Sequence, residues 1–144
     1  VSQSPGVRSF PGDRFAPRIA TTWLLENGPP AGLTGDSLAR AEICLDELVS
    51  NVVRYGGQGA RPATLTISLT REEKALLLTV EDDGNPFDPR QVPAPVFARS
   101  LEEAEAGGRG IFLVRSFADD LRYERRAGRN QVTVVFRPGA TDPG

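Results

Sequence analysis

The sequence runs to 144 residues, 39% of them hydrophobic, with 17 basic and 19 acidic side chains and a net charge of −2, enough for one domain with a real core and too evenly charged to offer nucleic acid a basic stripe. A single cysteine excludes an internal disulfide or a cysteine-based zinc cluster, and the lack of histidine removes the usual general base and every Ser-His or Cys-His pair, so any catalysis must run on carboxylates, amides, arginines and metal. No apolar run approaches the roughly 20 residues of a membrane span and residues 1–10 lack the regions of a signal peptide, so a cytoplasmic protein with no membrane or direct nucleic-acid partner is expected.

Val7 and Phe10, with Phe15 beyond, suit a short edge strand leading into a helix. From Asp13 to Glu26 the residues Ile19, Ala20, Trp23 and Leu24 recur at helical spacing. Asp13 is placed to cap this first helix, and Asn27-Gly28-Pro29-Pro30 reads as a firm stop. A second helix is expected from Thr34 or Asp36 to about Tyr55, with Leu38, Ala41, Leu45, Leu48, Val49 and Val52 as its apolar stripe and Gly56-Gly57 as its end.

Thr64 to Thr70 and Ala75 to Glu81 read as an antiparallel hairpin about Arg71-Glu72-Glu73-Lys74, ending in the turn Asp82-Asp83-Gly84-Asn85-Pro86. Residues 87–107 show no periodicity and are rich in proline and glutamate, which marks a long loop of the kind that is functional or mobile. Arg109 to Asp119 carries Ile111, Phe112, Val114, Arg115 and Phe117 in helical order. Leu121 to Arg126 and Gln131 to Arg137 then form a closing hairpin about Ala127-Gly128-Arg129-Asn130. A flexible tail is expected over 138–144, leaving an ordered core of about 7–137 in one domain spanning 1–144. This order of elements implies an α+β two-layer sandwich, a mostly antiparallel sheet with helices on one face.

Three segments carry chemistry. Glu47 and Asn51 lie one turn apart on one face of the second helix, an arrangement that also suits a solvated stripe. Asp82-x-Gly84-x-Pro86 puts a carboxylate at a strand end, able to accept the exocyclic amine of adenine, beside a glycine that lets a flat ligand approach the backbone; alone it reads more readily as a polar connection. Gly107-Gly108-Arg109-Gly110 opening a helix suits an anion, because free amides and the helix dipole face it and arginine adds charge-assisted bonds; alone it reads equally as a helix after a linker.

In this order, Glu47-Leu48-Val49-Ser50-Asn51, Asp82 through Pro89, and Gly107 through Val114 resemble the N box and the two glycine boxes of the gyrase, Hsp90, histidine-kinase and mismatch-repair ATPase superfamily (GHKL). The Pro86-Phe87 form of the first glycine box and the short chain most resemble its anti-sigma-factor serine kinase branch. The resemblance covers about Asp13 to Phe136 and implies a Bergerat-type fold binding ATP and magnesium. It implies that Asn51 is the magnesium ligand and Glu47 the base that polarises the attacking hydroxyl. It further implies that Asp82 reads adenine with Gly84 and Pro86 beside it, and that Gly108, Arg109 and Gly110 hold the phosphates. Residues 87–107 would be the lid, and Tyr55 stands where many relatives have histidine. The implied activity is a protein serine kinase that phosphorylates a small STAS-type antagonist and sequesters a sigma factor or other partner, with a homodimer possible. A nucleotide-dependent partner-switching module with weak or no kinase activity is the alternative.

Overall fold

The computed structural model describes residues 6–57, 61–91 and 114–137. The glycine turn at 107–110, most of the expected lid and the tail lie outside these residues. Of the helix expected over 109–119, residues 114–119 are described; 114–117 are helical and the helix ends there, before Asp119.

Among the described residues, five strands form one antiparallel sheet: β1 (Val7–Pro11), β2 (Thr64–Glu72), β3 (Ala75–Asp82), β4 (Asp120–Arg126) and β5 (Arg129–Phe136), in the order β1-β2-β3-β5-β4. Strand side chains alternate between faces. Leu65, Ile67 and Leu69 of β2, Leu76, Leu78 and Val80 of β3, and Val132, Val134 and Phe136 of β5 therefore all turn to one buried face. The opposite face is hydroxyl-rich, with Ser9 bonded to Thr66 at 2.9 Å and Thr79 to Thr133 at 3.3 Å. An antiparallel sheet can leave such a face to solvent, and the expected two-layer arrangement is found.

Helices α1 (Ala16–Ala31) and α2 (Gly35–Tyr55) cover the apolar face. The start of α1 is a turn in which Asp13 Oδ1 accepts the Phe15 N–H at 2.9 Å; Phe15 is the capping position and Pro17 follows in the first turn. The expected stop at Asn27-Gly28-Pro29-Pro30 is corrected: the helix runs through both prolines and ends at Gly32, whose φ of 114° is left-handed. Pro29 and Pro30 withdraw the N–H groups that would reach Leu25 and Glu26, and all four residues are exposed, so the freed carbonyls lie on the solvent side. Gly32 N–H to Pro29 O and Leu33 N–H to Gly28 O, both 3.0 Å, then close the end.

At the start of α2, Thr34 N–H donates to Ser37 Oγ at 3.0 Å and the Ser37 hydroxyl returns a bond to Thr34 O at 2.8 Å. Its apolar stripe includes Ala41, Cys44, Leu45, Leu48 and Val49, all buried. Both hairpin turns are shorter than expected. β2 continues to Glu72, leaving Glu73-Lys74 as the turn, and the β4–β5 turn is Ala127-Gly128, with φ of 54° and 76°. Two successive positive φ values mark the tight turn whose twist matches a hairpin. Asn130 therefore belongs to β5 rather than to the turn, opposite Asp82 on β3.

Candidate functional site

Asp82 is the last residue of β3 and shares the inward face of Leu76, Leu78 and Val80, so strand alternation carries a carboxylate to the end of the apolar layer. It is 5% exposed. Its Oδ1 accepts the Gly84 N–H at 2.8 Å and Asn130 Nδ2 at 3.1 Å, whereas Oδ2 has no partner among the described residues. Burial pushes the Asp82 carboxyl upward from its ordinary value, against the opposing pull of those two bonds and of Arg125.

Asn51 reaches the same place from the last turns of α2. It is 6% exposed, and its buried Nδ2 has no hydrogen-bond partner among the described residues. A buried polar atom left unpaired costs about 1–3 kcal/mol, so its retention inside an otherwise apolar helix face points to a ligand.

Asn51 and Asp82 line one open pocket, walled by Leu48, Val52, Val80 and Val132. Tyr55 and Phe87 stand at its rim, their rings 6.5 Å apart and inclined by 17°. A narrow apolar slot with a carboxylate oxygen at one end suits a flat heterocycle with an amine edge.

The other expected site residues are placed differently. A Cβ on Gly84 would lie 2.3 Å from the Gly56 carbonyl oxygen, and Asn85 N–H donates to that oxygen at 3.3 Å. The room left by the missing side chain is thus taken by the end of α2. Pro86 is exposed and outside the pocket lining, while Phe87 and Pro89 contribute to it. Glu47, half-buried one turn before Asn51, lines a separate open groove with Thr21, Glu42, Ile43, Asp46 and Phe117. Gly108, Arg109 and Gly110 lie outside the described residues.

Sequence reasoning passed over Asn130, which is 2% exposed and lines the pocket. Reading Ala127-Gly128 as a two-residue hairpin turn would have set Asn130 in the strand and across from Asp82. Also unforeseen was the strap after the Asp82 turn. Asp88 grips Arg90 through both carboxylate oxygens, at 3.0 and 2.9 Å, and that guanidinium holds the Asp88 carboxyl below its ordinary value. Arg115, from the helical residues 114–117, donates to the carbonyls of Pro89 and Arg90.

Residues 16–136 match the histidine kinase-like ATPase domain family. Similar proteins include the serine/threonine-protein kinase BtrW of Bordetella bronchiseptica, 36% identical over 93 residues that cover 65% of this chain and 66% of that one. The anti-sigma F factor of Bacillus licheniformis is 28% identical over 89 residues, covering 61% and 60%. The serine-protein kinase RsbW of Listeria monocytogenes is 24% identical over 110 residues, covering 74% and 70%. The matched stretch thus spans just under two thirds of the length of the first two relatives. The fold is shared with the crystal structure of the RsbU and RsbW domains of Rv1364c from Mycobacterium tuberculosis, at a TM-score of 0.59 and 16% identity, over 92% of this chain and 32% of that one. Among the described residues no helix is long and apolar enough to cross a membrane.

Proposed function

Since the chain belongs to the histidine kinase-like ATPase domain family, we propose that it binds ATP with magnesium in the Asn51–Asp82 pocket and acts as a protein serine kinase of the anti-sigma, partner-switching kind. One observation carries this reading: a single apolar slot holds a buried carboxylate with an open oxygen beside the buried amide of Asn51.

Asp82 Oδ2 would accept the exocyclic amine of adenine between the apolar walls, and Asn51 would hold magnesium through its amide oxygen. Gly108, Arg109 and Gly110 would supply amides and charge to the phosphates. Bound ATP and magnesium supply a γ-phosphoryl group whose charge is already partly neutralised, so the protein has mainly to position the reactants. Glu47 would act on the acceptor: as the serine oxygen bonds to phosphorus and the bond to ADP breaks, its carboxylate takes the hydroxyl proton.

The acceptor proposed is a small STAS-type antagonist and the sequestered partner a sigma factor, in keeping with relatives named anti-sigma F factor and RsbW. One observation favours a binding switch without transfer: Glu47 lines the groove by Phe117 rather than the Asn51–Asp82 pocket.

Incubation with γ-labelled ATP, magnesium and an antagonist domain encoded beside this protein tests the choice. Label on an antagonist serine, lost with Glu47→Ala, is the expected result. ATP binding without label transfer would overturn the kinase in favour of the switch.

A further inference from the structure

We propose that Asn130 is a positioning residue that couples base recognition to the stiffening of the strap 85–90, an inference that rests on the nucleotide reading above. A neutral side-chain amide has two N–H donors and two acceptor lone pairs, and Asn130 uses that capacity in full. Its Nδ2 donates to Asp82 Oδ1 at 3.1 Å and to Asn85 O at 2.7 Å. Its Oδ1 accepts the Phe87 N–H at 3.2 Å and the Tyr123 hydroxyl at 2.7 Å. Nothing remains to bind a ligand directly, so Asn130 acts through the groups it holds.

Those groups belong to two different parts of the pocket. Asp82 Oδ1 is saturated by Asn130 and Gly84, which turns Oδ2 toward the ligand as the one reading oxygen. Asn85 and Phe87 open the strap, and Phe87 and Pro89 form part of the pocket wall. One amide therefore fixes both the reading oxygen and the wall that faces it. Its orientation is determined, since turning it over would set its carbonyl against the Asp82 carboxylate.

Tyr123 extends the connection. Its hydroxyl fixes the Asn130 amide, and its ring lies beneath the Arg90 guanidinium at 5.7 Å. Arg90 is gripped by Asp88, and its carbonyl is held by Arg115. A base that engages Asp82 Oδ2 thus stiffens the strap from Asn85 to Arg90 through contiguous contacts, and a strap pulled away loosens the carboxylate.

Hydrogen exchange at the Phe87 and Arg90 amides, with and without ADP and magnesium, tests this together with the ratio of ATP to GTP affinity. Both are measured on the wild type, Tyr123→Phe and Asn130→Ala. In the wild type the nucleotide should slow exchange at both amides. Tyr123→Phe should lose most of that slowing, and its preference for ATP should fall by about tenfold, the equivalent of one hydrogen bond. Asn130→Ala should lose both effects; if it fails to fold, Tyr123→Phe decides alone. A merely structural role would lower the melting temperature while leaving the ATP to GTP ratio at its wild-type value. That outcome, or unchanged protection in Tyr123→Phe, would overturn the proposal. Failure of the wild type itself to bind ADP would instead remove the nucleotide reading, and this inference with it.

Discussion

The backbone of Gly84 rests directly on the carbonyl of Gly56, so that the turn after β3 and the end of α2 meet with no side chain between them. A Cβ at position 84 would stand 2.3 Å from that oxygen, and backbone on both sides leaves nothing flexible to yield. Gly84→Ala should cost about 1–3 kcal/mol of stability, as overpacking does, and should weaken nucleotide binding by moving Asp82. Thermal melts and a nucleotide titration check both effects. Gly128→Ala is the control: it meets nothing within 4 Å and bears only the strain of a φ of 76°, so it should destabilise without touching nucleotide affinity.

Asn51 should matter in proportion to its burial without a partner. Asn51→Ala removes an orphaned polar atom as well as the proposed metal ligand. The protein without nucleotide should lose no more than about 1 kcal/mol of stability, yet magnesium should no longer strengthen ATP binding. Affinities measured with magnesium and with a chelator separate the two effects.

The pH dependence of stability follows from Asp82. Its folded pKa is raised above 3.8, chiefly by burial, so the folded state takes up this proton more readily than the unfolded chain does. The charged form burdens the fold at neutral pH, and lowering the pH through the folded pKa relieves that burden. Asp82→Asn, which carries no charge at any pH, should gain stability relative to wild type at neutral pH. That gain should shrink toward pH 3.8. Melting temperatures of the two proteins without nucleotide, taken across the range, check the sign.

Cys44 is fully buried in α2, and burial pushes its thiol up to about 12. At pH 8 the thiolate is scarce and shielded, so a thiol-exchange reagent should react only as fast as the protein opens. Rapid labelling of the native protein would contradict the packing described.

The layer order was legible in the sequence because alternation in Thr64–Thr70 and Ala75–Glu81 and the stripe from Leu38 to Val52 each follow one period and one buried face. The end of α1 was not, because Pro29 and Pro30 break a helix only where their neighbours need the bonds they remove, and here those neighbours face water. Asp82 and Asn51 were legible as types of residue at fixed spacing. That they share one slot is a tertiary fact, set by the register of β3 and the packing of α2. Asn130 was hidden by a hairpin turn read two residues too long. The pocket walls of Leu48, Val52, Val80 and Val132 looked like any other core positions.

A titration of ATP and of GTP, each with magnesium, into the wild type and into Asp82→Ala tests the pocket most directly. Guanine presents a carbonyl where adenine presents an amine, so the Asp82 carboxylate would face an acceptor and should reject it. ATP should bind the wild type at one site and GTP poorly, and Asp82→Ala should lose about 1.5–3 kcal/mol of ATP affinity, the worth of a bond to a charged acceptor. Equal affinity for the two nucleotides, or ATP binding untouched by the loss of Asp82, would contradict the assignment.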